Sequence, residues 1–138
     1  MTNPSSVDVR HILEDYGDSS GIAVDFTGNL FIGREPATPV NCVTIYDTPG
    51  MPPWLGLAGE TGYEYPSIQI RIRNTKYMAG WNLAEEIKTA LHGLNQQTWN
   101  GTLYSVITCV NGPALLEWDD NGNCIFFLNF NLQRRPSV

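Results

Sequence analysis

The chain has 138 residues, enough for one domain with a real core, and 42% of them are hydrophobic. Its net charge is −6, only 16% of its residues are charged, and its few Lys and Arg are scattered, with Arg71/Arg73 and Arg134/Arg135 the only local groups. That balance argues against specific DNA or RNA binding, and no apolar run approaches the ~18 residues that span a bilayer.

The first element is a helix expected over Ser6 to Tyr16. Ser5 or Ser6 can cap it, and Asp8 in the first turn suits the helix dipole. Val9, Ile12, Leu13 and Tyr16 form one apolar stripe, and Gly17 can supply a left-handed stop. Ile22, Val24 and Phe26, the turn Thr27-Gly28-Asn29, and Leu30 with Ile32 then have the pattern of a hairpin. Cys42 to Tyr46 is a β-branched, aromatic run and predicts a strand.

From Asp47 to Tyr65 the periodicity fails. Four glycines and three prolines alternate with Met51, Trp54, Leu55 and Leu57. A loop of this length is uncommon in a compact domain unless it has a function, and this one is too apolar for a solvated linker. It is expected either to pack over its own core or to project as an arm against a neighbour.

Ser67 to Asn74 alternates cleanly. Ile68, Ile70 and Ile72 face one way, and Gln69, Arg71 and Arg73 the other, so one face is buried and one polar. A second helix follows. Asn82 and Glu85 have capping-box spacing, although a start near Met78 is also compatible. Leu83, Ile87, Leu91 and Leu94 form its stripe, and Gly93 or Asn95 ends it. Asn100-Gly101 is a turn, Leu103 to Val110 a strand, Asn111-Gly112-Pro113 a second turn, and Leu115 to Trp118 a returning strand. Asp119 to Asn123 is a strong hairpin turn. The strand Cys124 to Leu132 places Phe126, Leu128, Phe130 and Leu132 on one face, with Asn129 and Asn131 on the other. The expected fold class is α+β: one domain over 1–138, a largely antiparallel sheet, and two helices on its apolar face.

Chemistry is hard to find in this pattern. Gly28 to Gly33 has phosphate-loop spacing but lacks the Lys-Ser/Thr pair. Asp119, Asn121 and Asn123 alternate like a calcium loop, but Cys124 and Phe130 stand where Gly and Glu are needed. His11 and His92 have no companion ligand at metal spacing, and the cysteines form no C-x-x-C pair. Glu85 and Glu86 diverge on a helix, and no glycine-flanked nucleophile is present. No catalytic residue, cofactor or metal is therefore expected. Cys42, Cys109 and Cys124 are odd in number and widely spaced, which predicts buried thiols in a reducing cytoplasm. The first residues lack a basic stretch followed by an apolar one, so no leader is expected. Asn100-Gly101-Thr102 matches a glycosylation sequon but is better explained as a turn.

Aromatic residues outside regular core positions are enriched in interfaces. Trp54, Tyr63 and Tyr65 lie in or beside the long loop, Trp81 begins the second helix, and Trp99 follows it. Trp54, Leu55, Leu57, Tyr63, Tyr65, Arg71 and Arg73 are the candidate interface residues.

Three segments, taken in order, carry a resemblance. Phe31-Ile32-Gly33-Arg34-Glu35-Pro36, Asn41 to Gly50, and Tyr65-Pro66-Ser67-Ile68-Gln69-Ile70-Arg71-Ile72-Arg73 resemble the minor capsid or tail-terminator proteins of long-tailed phages. Tyr77 and Gly80 before the Leu83–Ile87 helix fit as well, and the likeness runs from about residue 5 to 135. The loop Thr48 to Glu64 departs from it. The resemblance implies a virion protein of the tail and neck with no enzymatic motif, assembled in the host cytoplasm. It implies a ring of copies, typically six, on the head-proximal end of the tail tube. The partners would be the chain itself, the tube protein and a head-completion connector, with DNA passing through unbound. Another neck or head-completion connector protein and a non-viral binding module are the alternatives.

Overall fold

A computed structural model of the chain describes residues 2–19, 29–52 and 62–135. Two helices and six strands follow one another as α1 (Ser5–Ser19), β1 (Leu30–Ile32), β2 (Cys42–Met51), β3 (Tyr65–Asn74), α2 (Tyr77–Leu91), β4 (Asn95–Trp99), β5 (Thr102–Trp118) and β6 (Cys124–Arg135). The strands form one curled sheet in the order β1-β2-β3-β6-β5-β4. Every pairing is antiparallel except β1 with β2, which is parallel. This is the expected α+β class.

The core lies between the sheet and both helices. Alternation in β3 puts Ile68, Ile70 and Ile72 on the helix side, beside Val43 and Ile45 of β2 and Phe126, Leu128 and Phe130 of β6. Val9, Ile12 and Leu13 of α1 and Ala84, Ile87 and Leu91 of α2 close over them. Each fully buried Ile, Leu or Phe contributes about 1.5–3 kcal/mol. Leu83 and Leu94 border this core and are only partly buried.

Several expected boundaries shift. Helix α1 continues through Gly17 to Ser19, because an internal glycine costs only about 1 kcal/mol and does not oblige a stop. Its N-terminus is held from a distance: Asp47 of β2 accepts bonds from the Ser6 N–H at 3.0 Å and the Ser6 hydroxyl at 2.6 Å. Helix α2 starts after Lys76, which makes no side-chain cap, so the Asn82–Glu85 spacing falls inside the helix. Its end does lie at Gly93, whose φ is +86°.

The irregular region is shorter than 47–65. Strand β2 continues to Met51 past a register shift, and β3 begins at Tyr65. Residues 53–61, with Trp54, Leu55 and Leu57, lie outside the described residues, as does the expected strand around Ile22 to Phe26. Strand β4 had no apolar alternation to announce it. It is joined to β5 by the expected Asn100-Gly101 turn, in which both residues have positive φ.

The expected turn at Asn111-Gly112-Pro113 is not one. Strand β5 runs straight through it, with a cis Gly112–Pro113 bond. Leu103 to Trp118 of β5 oppose Cys124 to Arg135 of β6, so 16 residues face 12 and four are extra. They are accommodated at four register shifts, one of which falls between Asn111 and Ala114. Bulges of this kind bend a strand and strengthen its twist.

Candidate functional site

Two polar networks fix the positions of the sheet's surfaces. On the outer face, opposite the helices, the β3 side chains Ser67, Gln69, Arg71 and Arg73 register with Asn131, Asn129, Phe127 and Ile125 of β6. The Ser67 hydroxyl donates to Asn131 Oδ1 at 2.7 Å, and Gln69 Nε2 donates to Asn129 Oδ1 at 3.1 Å. Asn129 Nδ2 then donates to Asn111 Oδ1 at 2.6 Å, carrying the ladder onto β5. The Arg71 guanidinium sits 5.2 Å from the Tyr46 ring centroid, and its Nε donates to Gln69 Oε1 at 2.9 Å. The middle of this face is thus a hydrogen-bonded platform of amides and hydroxyls bearing one guanidinium.

Arg73 belongs to the fold as well as to this face. Its Nη1 pairs with Glu35 Oε1 at 2.8 Å, its Nε donates to the Val40 carbonyl at 2.8 Å, and Nη2 donates to the carbonyls of Pro36, Ala37 and Pro39. One side chain therefore ties down the whole Gly33–Asn41 connection. Only the planar, five-donor fork of arginine can do so.

The second network crosses the helix side. The Asp8 carboxylate is fully buried, although its place in the first turn of α1 suggests a solvated charge. It accepts from the Tyr104 hydroxyl and from Asn100 Nδ2, the latter at 2.6 Å. Arg134 continues the chain. Its Nη1 donates to the Asn3 carbonyl at 2.8 Å and to the Tyr104 oxygen at 3.4 Å, and its Nε pairs with Glu64 Oε1 at 3.0 Å. Burial, followed by the Asp8 contact, pushes the Tyr104 phenol far above its ordinary range. The N-terminal segment, the β4–β5 turn and the start of β3 are joined through these groups.

Of the expected interface residues, Trp54, Leu55 and Leu57 lie outside the described residues, and the other four follow one another along β3 and its approach. Tyr63 and Tyr65 are partly buried at the start of β3, whereas Arg71 and Arg73 lie further along the outer face. Trp81 and Trp99 prove to be local packing: Trp81 meets Phe126 edge-on at 6.0 Å, and Trp99 Nε1 donates to Gln97. Among the described residues, exposed Met51 pairs with Tyr65, but most of the large exposed apolar side chains lie elsewhere. Tyr77, Met78, Leu115, Leu116 and Trp118 surround the other end of the sheet, with Tyr77 stacked on Trp118 at 6.2 Å. The adjacent pair Leu115-Leu116 was the available signal, since it breaks the alternation of a one-sided strand.

The thiols have no activated character. Burial raises Cys42, Cys109 and Cys124 above the ordinary cysteine range, the reverse of what a nucleophile needs. Cys42 and Cys124 are buried as expected, but Cys109 is half-exposed because it sits where the edge of β5 is losing its cover. Among the described residues, no three His, Cys, Asp or Glu side chains gather as a metal site.

The described surfaces of this acidic chain are thus a hydrogen-bonded polar platform on one face and exposed apolar side chains at one end. The family model described as bacteriophage tail terminator protein matches residues 7–135. The chain belongs to that family, so it is a structural component of a phage tail. A search of curated protein sequences finds no match.

Proposed function

We propose that this chain caps the head-proximal end of the tail tube, stops tube-protein polymerisation there and forms the surface on which the filled head docks. The observation that carries this reading is the family match across 7–135. Copies of the chain form a closed ring, taken here as six, through a contact between two different patches of each subunit. Tyr63 and Tyr65, where the chain enters β3, face a neighbour or the tube.

The charge supports a passive channel. Six copies at −6 each make a ring of −36, and a negative lumen repels DNA phosphates over the ~8–10 Å that salt permits. The polar networks suit the same role, because a stop signal must keep its shape while it is compared with a growing tube end.

The test is a polymerisation assay. Purified chain added to assembling tube protein should halt elongation at a stoichiometry of one ring per tube, and tagged chain should decorate a single end. Tubes that grow to the same length with and without it would refute the proposal.

A further inference from the structure

The sequence holds three Asn-Gly dipeptides, Asn100-Gly101, Asn111-Gly112 and Asn121-Gly122. Such a pair is prone to lose its side-chain amide, because glycine carries no side chain to shield its own nitrogen or restrict its rotation. That nitrogen gives up its proton to water and attacks the asparagine Cγ. A cyclic imide closes, and the Cγ–Nδ2 bond breaks to release ammonia. Water then opens the imide at either carbonyl, leaving aspartate or isoaspartate, so water is the only co-reactant. As dipeptides the three sites are alike, but the fold makes them different.

At Asn100 the leaving amide is held. Its Nδ2 donates to Asp8 Oδ1 at 2.6 Å and meets His11 Nδ1 at 2.9 Å. Swinging Cγ onto the Gly101 nitrogen breaks both contacts, one of them to a buried carboxylate. At Asn111 the side chain and the main chain are both pinned. Its Oδ1 accepts from Asn129 Nδ2 at 2.6 Å, and the residue pairs with Asn129 in the β5–β6 ladder. A Cβ added to Gly112 would stand 2.5 Å from the Phe127 carbonyl oxygen and 3.1 Å from Leu128 Cα, so this glycine lies pressed against β6. Asn121 and Gly122 are both exposed, in the turn between β5 and β6. Among the described residues the Asn121 carboxamide makes no hydrogen bond, and a Cβ on Gly122 would meet nothing within 4 Å. The Gly122 N–H donates to the Asp119 carbonyl at 3.1 Å, the longest of the turn's bonds, and this one bond must open for attack. Solvent-exposed turns open at little cost, whereas segments tied to the core do not.

We infer that Asn121 is the deamidation site of the folded chain, and that the fold protects Asn100 and Asn111. The inference stands on these three sites and does not depend on the capping role. The conversion places a new carboxylate beside Asp120 and takes the net charge from −6 to −7. Through isoaspartate it also inserts a methylene into the main chain between the Asn121 and Gly122 nitrogens. Asp119 Oδ1 accepts from the N–H groups of Asn121 and Asn123, at 2.9 and 2.8 Å, on either side of that insertion. The clamp therefore loses its geometry, and the β5–β6 turn loosens where it joins Trp118.

The test ages the full chain in mildly alkaline buffer made with heavy-oxygen water, folded in one sample and unfolded in guanidinium chloride in another. Peptide mass spectrometry reads heavy-oxygen incorporation at each asparagine, and an isoaspartyl methyltransferase labels the isoaspartate formed. In the folded protein Asn121 should convert roughly 10-fold or more faster than Asn100 or Asn111. In the unfolded chain that preference should fall below about 3-fold. Asn121→Gln cannot close the same ring and should end conversion at the turn while leaving the circular dichroism spectrum unchanged. Conversion of Asn100 or Asn111 as fast as Asn121 in the folded protein overturns the inference. So does an Asn121 that stays intact while the unfolded chain converts. An equal preference for Asn121 in guanidinium overturns it too, because the cause would then be local sequence and not the fold.

Discussion

Removing Arg73 should loosen the Gly33–Asn41 connection and destabilise the whole domain. In Arg73→Ala, the Glu35 carboxylate loses its cation and the carbonyls of Pro36, Pro39 and Val40 lose their donors. The Arg73 and Glu35 side chains are 12% and 19% exposed, so water can only partly replace the pair. Breaking a fully buried pair costs about 3–5 kcal/mol, and the residual exposure reduces this to about 2–4 kcal/mol. For 138 residues the unfolding entropy is about 0.29 kcal/mol/K, so a loss of ~3 kcal/mol lowers Tm by about 10 °C. Arg73→Lys keeps the charge but cannot span from Glu35 to Val40, and it should fall between Ala and wild type at a cost of about 1–2 kcal/mol. The double variant Glu35→Ala/Arg73→Ala should lose less than the sum of the single variants, because no carboxylate is then stranded. Urea titration followed by circular dichroism measures all four proteins. An Arg73→Ala protein within about 0.5 kcal/mol of wild type would refute the reasoning.

Tyr104→Phe removes one of the two donors that hold buried Asp8 among the described residues and should cost about 1–3 kcal/mol in the same assay, with no cost at all contradicting the network. Tyr104 also sets an alkaline limit. Its folded pKa lies above the ordinary value of 10.0, so the unfolded chain loses this proton first, and the group's contribution to stability, complete below pH 10, declines as the pH rises above it. Ultraviolet titration should show one tyrosine that ionises only as the protein unfolds. Gly80→Ala should destabilise by about 1–2 kcal/mol despite alanine's better helix propensity, because the new Cβ would stand 2.9 Å from Phe126 Cε2 and 3.2 Å from Asn74 Cβ. The Phe126 ring is packed by Tyr77 and Trp81 and has little room to yield, so a thermal melt above wild type would contradict this packing.

What could be read beforehand depended on how local its cause was. The alternation of β3, the Leu83, Ile87 and Leu91 part of the α2 stripe, the Asn100-Gly101 turn and the Asp119–Asn123 turn each arise from interactions a few residues apart and are present, whereas Leu94 falls beyond the helix. Asn111-Gly112-Pro113 misled because turn chemistry is local, whereas its partner β6 continues past it and holds the chain extended through a bulge. Strand β4, Asn-Gln-Gln-Thr-Trp, is a polar edge strand. Its pairing with β5, not its composition, makes it a strand. Asp8 illustrates the same limit at a functional level. Its partners Asn100 and Tyr104 lie 92 and 96 residues away, and nothing near position 8 indicates that its charge is buried. The candidate surface was only half legible. Arg71 and Arg73 do lie on the polar face, but the five bonds of Arg73 to its own chain depend on the path of the 33–41 connection. The apolar ridge at Tyr77 and Trp118 forms only when α2 and β5 are brought side by side.

The most direct measurement of the central claim is the length of tails in phage lacking this gene, read by negative-stain microscopy. A protein that ends the tube predicts tails of variable and excessive length, restored to a single length when the intact chain is supplied. Tails of uniform, normal length in its absence would contradict the account and would fit a connector acting on the head side.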